Sequence, residues 1–139
     1  MSATTYTTAA PRVTATIGSV LGTGVVAALA ASVATPVVAA AGQAAGISLD
    51  IEGAPIPLLG FATLTGIFSL VGVLLAVVLS RVARRPRSVF VRTTVVLTAL
   101  SLVPDVIVDA APATKALLML THLVAAAIVV PALGRRLGA

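Results

Sequence analysis

Two aspartates in the stretch "SLVPDVIVDA", residues 101–110, are the first candidates for chemistry in this sequence. The chain has only four acidic residues, and Asp105 and Asp109 lie in this otherwise apolar segment, one helical turn apart if the segment is a helix. A carboxyl group in apolar surroundings is suited to donate or accept a proton, or to bind a polar group of a ligand. Which of these roles a carboxyl group takes depends on the helices that position it and on the side chain that those helices place beside it.

The composition indicates an integral membrane protein. Of 139 residues, 59% are hydrophobic and only 9% are charged, whereas a soluble domain has about 25% charged residues. The absence of cysteine excludes disulfides, thiol chemistry and cysteine metal sites. The net charge of +5 comes mainly from arginines that border apolar segments, which is typical of topology signals and argues against a nucleic-acid partner.

Four apolar segments are each long enough to cross ~30 Å of hydrocarbon. They cover residues 14–41, 57–82, 89–108 and 113–133. The first is longer than the ~7–15-residue apolar core of a signal peptide, so it is interpreted as a span. The sequence therefore predicts an all-α integral membrane protein, a single domain over residues 1–139 that forms a bundle of four transmembrane helices.

Arginine positions predict the orientation of this bundle. The positive-inside rule places the basic loop of residues 81–92 in the cytoplasm. Because the number of spans is even, Arg12 and the pair Arg135 and Arg136 then lie on the same side, and both termini are predicted to be cytoplasmic in a multi-pass protein of the cell membrane. The outer loop of residues 42–56 and all four acidic residues fall toward the opposite side.

Polar side chains form a stripe along one face of the third span. Lipid cannot solvate such a stripe, so it is predicted to face the bundle interior or a water-filled cavity. Its hydroxyl groups are candidate ligand-binding groups, together with that of Thr121 in the fourth span. The members recur at spacings of three or four residues, which keeps them on one helical face: Thr94, Thr98, Ser101, Asp105 and Asp109.

Chain distances pair Asp105 with the only histidine, His122. Asp105 lies thirteen residues after Arg92, and His122 lies thirteen residues before Arg135, so each is ~20 Å from the arginine-bearing side at 1.5 Å per residue. Spans joined by the short turn "AAPAT" should be antiparallel neighbours. The two side chains are therefore predicted to meet at one level as candidate catalytic residues, with Asp109 one turn further out.

Structural roles are the alternative for the same residues. Asp105 and His122 could simply hold two helices together, and Asp109 could form an interfacial ion pair with Lys115. A metal site is disfavoured, because two aspartates and one histidine offer three ligands where structural zinc takes four and prefers nitrogen and sulfur. No P-loop, GxGxxG motif or Ser-His-Asp order is present, and no cofactor is expected.

The outer loop carries the remaining acidic residues. Residues 47–52, "ISLDIE", alternate apolar and polar side chains before Gly53, a pattern typical of a short strand or a hairpin arm. Such an arm could cover the mouth of the bundle as a lid, which makes Asp50 and Glu52 candidate ligand-binding residues. A solvated acidic connector is the alternative.

Small residues in the spans predict close helix packing. The first span contains "GSVLG", a GxxxG motif formed by Gly18 and Gly22, which allows two helix backbones to approach closely. Because four helices already offer interfaces to one another, packing within the bundle is favoured over a homo-oligomer.

Three stretches resemble a known family. They are "IPLLGFA" at the start of the second span, "ALSLVPD" in the third and "THLVAAAIVVPAL" in the fourth. They are similar to small actinobacterial four-helix membrane proteins that are catalogued as a domain of unknown function. The resemblance extends over about residues 46–131 in order, spacing and the basic second loop. The resemblance implies the four-helix fold and the positions of Asp105 and His122 within it. It implies no particular activity.

The hypotheses for function come from three classes, which share membrane lipids as partners. In the first, a lipid-embedded site binds an apolar small molecule, such as an isoprenoid- or polyketide-like compound, or acts on it by acid–base chemistry with Asp105 as the acid and His122 as its partner. In the second, the same pair relays protons in a proton-coupled transporter or exporter. In the third, the protein is a non-catalytic accessory or assembly protein whose stripe meets a partner helix.

Overall fold

Four long helices dominate the structure. The computed structural model describes residues 16–138 and contains α1 (Ile17–Ala44), α2 (Leu58–Val82), α3 (Pro86–Ile107) and α4 (Pro112–Gly134). Each helix is long and apolar enough to cross a membrane, so the prediction of an all-helical chain with four candidate spans is confirmed. Arg12 lies outside the described residues.

The helix boundaries lie within three residues of the predicted ones, and two of the differences have a clear physical reason. α1 continues through Gly42 to Ala44, beyond the predicted end at residue 41, because Gly42 is buried against another helix and does not serve as a terminator. α3 begins at Pro86 and not at residue 89. Proline is favoured at the first helical position, since its ring fixes φ and its missing N–H would have no acceptor within the helix there.

The helices form a ring in which sequence neighbours pack together. α1 packs against α2 and α4, and α3 packs against α4 and α2, as short connections between antiparallel helices require. Two apolar clusters fill the interior. One includes Ala31, Val73, Phe90 and Leu133. The other includes Ala39, Leu49, Phe61 and Leu117.

A pair of hydroxyl groups also joins α1 to α2. Thr35 is buried and precedes Pro36 within α1, and its Oγ1 lies 2.9 Å from the Oγ1 of Thr65 in α2. Such a hydrogen bond between spans contributes about 0.6 kcal/mol on average in membrane proteins. The contact therefore adds to the packing of α1 on α2 without dominating it.

The two ends of the bundle carry opposite charges. One end, called here the arginine end, is where α2 passes into α3 and where α4 finishes, and the described arginines lie at or near it: Arg81, Arg84, Arg85, Arg87, Arg92, Arg135 and Arg136. The acidic residues lie toward the opposite end, called the hairpin end, which residues 45–57 and 108–111 form. Exposed leucine, valine and isoleucine side chains cover the helices in between. Such a surface is stable in lipid, whereas in water it would promote aggregation.

The loop after α1 forms a small β-hairpin. Strand β1 (Asp50–Ile51) pairs antiparallel with strand β2 (Ala54–Pro55). Between them, Glu52 and Gly53 both have positive φ angles, 52° and 80°, as a two-residue type I′ turn requires. The strand or hairpin arm predicted from the alternating pattern is therefore present.

Close helix packing depends on Gly24 and Gly42 and not on the GxxxG motif. A Cβ atom at Gly24 would lie 2.5 Å from Val73 Cγ2, and one at Gly42 would overlap a side chain of α4. None of the described atoms lies within 4 Å of the position of a Cβ at Gly18 or Gly22. The expectation that the motif packs within the bundle is therefore wrong, because no other described helix covers these two positions closely.

Gly24→Ala is expected to lower the thermal stability of the detergent-solubilised protein. The added methyl group would meet Val73, whose β-branched side chain has little rotamer freedom in a helix, and overpacking of this kind costs about 1–3 kcal/mol. Gly18→Ala is the matched control. Its methyl group enters open space, so this variant should be neutral or more stable by up to about 1 kcal/mol through helix propensity. Equal unfolding temperatures for the two variants would contradict the packing described.

Candidate functional site

The structure brings Asp105 and His122 together between α3 and α4. Asp105 Oδ2 lies 3.0 Å from His122 Nδ1, so the two side chains meet as their chain distances predict. The aspartate side chain is 11% exposed, whereas the histidine side chain is 40% exposed. The pair, called here the acid–imidazole site, thus joins a buried carboxyl group to a ring that reaches the surface of the bundle. Asp105 thus faces the bundle interior, as predicted, whereas the ring lies at the edge of the interface between the two helices.

The carboxyl group of Asp105 lies near the end of α3, between two prolines. The helix contains Pro104 and finishes at Ile107, so Asp105 is in its last turn. Pro112 takes the first position of α4, which disfavours a helical conformation in the residue before it. The chain leaves α3 at Ile107 and reaches α4 through an irregular segment that ends in the extended residue Ala111.

The nitrogen Nδ1 of His122 has two acceptors within reach. Besides Asp105 Oδ2, the carbonyl oxygen of Leu118, one turn earlier in α4, lies 3.1 Å from Nδ1. Two acceptors at one nitrogen indicate that Nδ1 carries a proton, and in the neutral form of such a ring Nε2 is free to accept one. With the proton on Nδ1, the ring geometry directs the N–H bond at the Leu118 carbonyl more than at Asp105 Oδ2, which is buried and close to Nδ1 but off the line of this bond.

Asp105 Oδ2 is consequently the atom of the site with unused hydrogen-bonding capacity. A buried oxygen left without a donor costs about 1–3 kcal/mol. The Leu118 carbonyl, in contrast, also accepts the hydroxyl of the buried Thr121 at 2.7 Å. A small rotation of the ring would move the Nδ1–H bond to the carboxylate, which is the stronger acceptor. The sequence analysis missed Leu118, although a histidine side chain four residues after a helical carbonyl could have indicated it.

The stripe on α3 faces the bundle, and its hydroxyl groups bond to their own helix. Thr94 is buried, and Thr98 and Ser101 are half-buried, on the same face as Asp105. The Thr94 hydroxyl donates to the Phe90 carbonyl at 2.8 Å, and the Ser101 hydroxyl donates to the Thr98 carbonyl at 2.7 Å. These local bonds occupy the hydroxyl protons of Thr94 and Ser101. Those two hydroxyl groups can therefore accept a hydrogen bond from a ligand, but they have no free proton to donate to it.

Asp109 does not continue the stripe. It follows the end of α3 and is exposed, and its backbone carbonyl accepts the N–H of Glu52 at 2.9 Å. Lys115 donates to the Val106 carbonyl at 2.9 Å and not to Asp109, because the carbonyls at a helix C-terminus lack partners and attract a cation. The prediction that Asp109 shares a helical face with Asp105 is therefore wrong.

Asp50 and Glu52 are exposed on the hairpin, which is held to the bundle by other groups. The Thr114 hydroxyl donates to the Ser48 carbonyl at 2.7 Å, and Leu49 is buried in the second apolar cluster. The hairpin is thus a fixed cap at one end of the bundle. Within residues 16–138, the acid–imidazole site holds the only close pair of acidic and basic side chains, so neither hairpin carboxylate is part of such a pair.

A metal centre has no support in the described part of the chain. No three histidine or acidic side chains converge there, and metal sites in proteins ordinarily draw at least three ligands from the chain. The chemistry available to the site is that of a carboxyl group and an imidazole ring.

Comparison with known proteins assigns the chain to a family. A model for a family of unknown function, DUF6069, matches residues 15–139, and the chain belongs to this family. The match covers all four helices and the acid–imidazole site. It confirms the resemblance to a domain of unknown function. No curated protein and no solved structure matches the chain.

The single histidine makes the proton position at His122 measurable. Nitrogen NMR of protein containing isotope-labelled histidine is expected to show a proton on Nδ1. Asp105→Asn should give a mixture of the two tautomers, because an amide can turn either its oxygen or its NH₂ group toward Nδ1. Ser101→Ala, on the same face one turn away, is the control and should keep the wild-type spectrum. A neutral wild-type ring with its proton on Nε2 would contradict the geometry.

Proposed function

We propose that this member of the DUF6069 family is an integral membrane protein whose acid–imidazole site binds an apolar small molecule and exchanges a proton with it. The supporting observation is Asp105 Oδ2, which is buried between two helices, 3.0 Å from His122 Nδ1, and has no well-directed donor. Folded proteins rarely leave such an oxygen unpaired. When the ring takes a proton from a ligand at Nε2, the resulting imidazolium ion can turn its Nδ1–H bond toward this oxygen, which would remove the free-energy cost.

The surroundings of the site favour a ligand that dissolves in lipid. Val106 and Leu123, which follow Asp105 and His122 in α3 and α4, are exposed, as are many other aliphatic side chains of these two helices, so the lipid-facing surface of both helices is apolar. The ring of His122 is the part of the site that is exposed at this surface. The ligand therefore needs an apolar body and one hydroxyl, phenol or enol group. An isoprenoid- or polyketide-like compound has both.

The proton step would take place at Nε2 of His122. The neutral ring with its proton on Nδ1 has a free lone pair on Nε2. Transfer of a proton from the ligand O–H to Nε2 forms an imidazolium ion and a ligand oxyanion, and the carboxylate of Asp105 stabilises the imidazolium ion. The reverse transfer restores the starting state. The aspartate thus orients and stabilises the ring, and the ring exchanges the proton.

A proton-coupled transporter is the second candidate. It is favoured by the position of Nδ1 between two acceptors, Asp105 Oδ2 and the Leu118 carbonyl, because a ring that can turn between two partners is suited to pass a proton on. An accessory protein that binds a partner helix through the stripe has less support, since Thr94 and Asp105 are buried.

The charge difference between the two ends supports an orientation. Seven arginines lie at or near the arginine end, and the acidic residues lie toward the hairpin end. By the positive-inside rule, the arginine end is cytoplasmic. Both termini are then in the cytoplasm of the cell, and the hairpin caps the bundle on the outer side of the cell membrane.

Cysteine labelling tests this orientation without background, because the chain has no cysteine. Ser48→Cys is expected to react with a membrane-impermeant maleimide in intact cells. Arg85→Cys should react only after the membrane is permeabilised, and the parent protein is the unlabelled control. Labelling of both variants in intact cells, or of Arg85→Cys alone, would refute the orientation.

Asp105→Asn and His122→Ala are expected to weaken ligand binding. The probes are a long-chain alkylphenol and an isoprenoid alcohol, presented to the full chain in nanodiscs and followed by native mass spectrometry. Each variant should bind at least about tenfold more weakly, the size of one hydrogen bond to a charged group. The double variant should bind no more weakly than the single ones, because the two residues act as a unit.

Two controls separate binding from structure. Thr63→Ala removes an exposed hydroxyl that bonds only within α2, and it should leave binding unchanged. An alkylbenzene that lacks the phenol hydroxyl should bind equally weakly to the parent and both variants. If the site only holds two helices together, both variants would unfold at lower temperature while the folded fraction bound the phenol as before, and the proposal would be wrong.

A further inference from the structure

A groove separates α1 from α4 in the half of the bundle near the arginine end. It has a volume of 410 Å³, within the range of roughly 300–1,000 Å³ of small-molecule sites. Its walls are formed mainly by small and aliphatic side chains, and an arginine lies at its end: Gly22, Val26, Ala30, Ile128, Ala132 and Arg136. None of these residues belongs to the acid–imidazole site.

The shape of the groove matches one leaflet of a membrane. From Gly22 to Ala30 it follows α1 for about 12 Å at 1.5 Å per residue, against ~15 Å for half of the hydrocarbon core. It is open to the outside of the bundle, as the 68% exposure of Val26 shows. Glycine and alanine on both helices leave a channel that no described side chain fills. An extended apolar chain of leaflet length fits this space.

The groove ends at a cation. Arg136 lines it and is exposed, at the level where α4 finishes and where a bilayer would have its head groups. Guanidinium groups bind phosphate with paired hydrogen bonds. A ligand that suits both parts of the groove has an apolar tail and an anionic phosphate head.

We propose that this groove binds an anionic phospholipid, with an acyl chain between α1 and α4 and the phosphate on Arg136. A second copy of the chain is a worse occupant, although Gly18 and Gly22 offer a flat helix face. A symmetric pair of copies at this groove would bring Arg135 and Arg136 of one copy toward those of the other, and like charges at an interface disfavour association. The anionic head group removes this repulsion by supplying the opposite charge.

The test compares phosphatidylglycerol with phosphatidylcholine on the full chain. The purified protein in neutral detergent receives each lipid at the same concentration, and the unfolding temperature and the lipid retained in native mass spectrometry are measured. A ligand that binds only the folded state raises the unfolding temperature. Phosphatidylglycerol is expected to raise it more than phosphatidylcholine does and to be retained at one molecule per chain.

Two pairs of variants locate the effect. Gly22→Leu places a side chain in the groove and should remove the shift caused by phosphatidylglycerol, while Gly18→Leu should retain it. Both positions have open space around a Cβ and gain the same helix propensity. The two variants differ in that Gly22 lines the groove, whereas Gly18 is not among its lining residues. Arg136→Gln should weaken phosphatidylglycerol binding about fivefold, the effect of one cation near an anionic lipid surface. Arg135→Gln, which loses the same charge outside the groove lining, should weaken it less.

Three results would overturn the proposal. Equal shifts from the two lipids would remove the anionic specificity. Loss of the shift in Gly18→Leu as well as Gly22→Leu, together with a change from two copies to one in native mass spectrometry, would identify a second copy as the occupant. Absence of a shift in the full chain, with its appearance after removal of residues 2–14, would identify the chain's own N-terminal segment as the occupant.

Discussion

The structure follows from the constraint that lipid offers no hydrogen bonds, so that every polar group within the spans must find its partner in the chain itself. Helices satisfy this requirement for the backbone. The same constraint explains the side chains, because Thr94, Ser101 and Thr121 all return their hydroxyl protons to carbonyls of their own helices. At the end of α3, where carbonyls lose their helical donors, the Lys115 ammonium group supplies one to Val106.

A second consequence concerns what holds the helices together. Between spans in lipid, the hydrophobic effect supplies no attraction, and close contact must do so. Gly24 allows α1 to approach Val73 of α2, and Gly42 allows α1 to approach α4. The hydroxyl contact between Thr35 and Thr65 adds a directional link near the middle of this interface. α1, with its many alanines and glycines, is therefore the helix around which α2 and α4 are arranged.

Against this background, Asp105 is the exception on which the proposed function rests. It is buried, its Oδ2 lies beside an imidazole whose N–H points elsewhere, and that oxygen has no directed donor. A group whose only task was to join α3 to α4 would serve better with a direct bond, since a buried oxygen without a donor destabilises the fold. Under the proposed function, this free-energy cost is offset when a ligand binds and a proton is transferred to the ring beside the oxygen. The groove beside Arg136 lies between α1 and α4 at the other end of the bundle, so the lipid binding proposed there and the chemistry proposed at Asp105 are separable.

The sequence by itself determined the number of helices, their approximate ends and the meeting of Asp105 with His122. Segment length and hydropathy are sufficient for the first two. The meeting of Asp105 with His122 follows because each residue lies thirteen residues from an arginine at the same end of the bundle. On antiparallel neighbouring helices, equal distances from one end place two residues at one level. The tertiary structure decided which face of each helix packs against another helix and which face stays exposed. In lipid both the interior and the exterior of a bundle are apolar, so hydropathy does not distinguish the face of α1 that carries Gly18 and Gly22 from the face that carries Gly24 and Gly42. It also decided the place of Asp109, since α3 ends before it, and the geometry of His122 Nδ1 relative to its two acceptors, which depends on how α3 packs against α4.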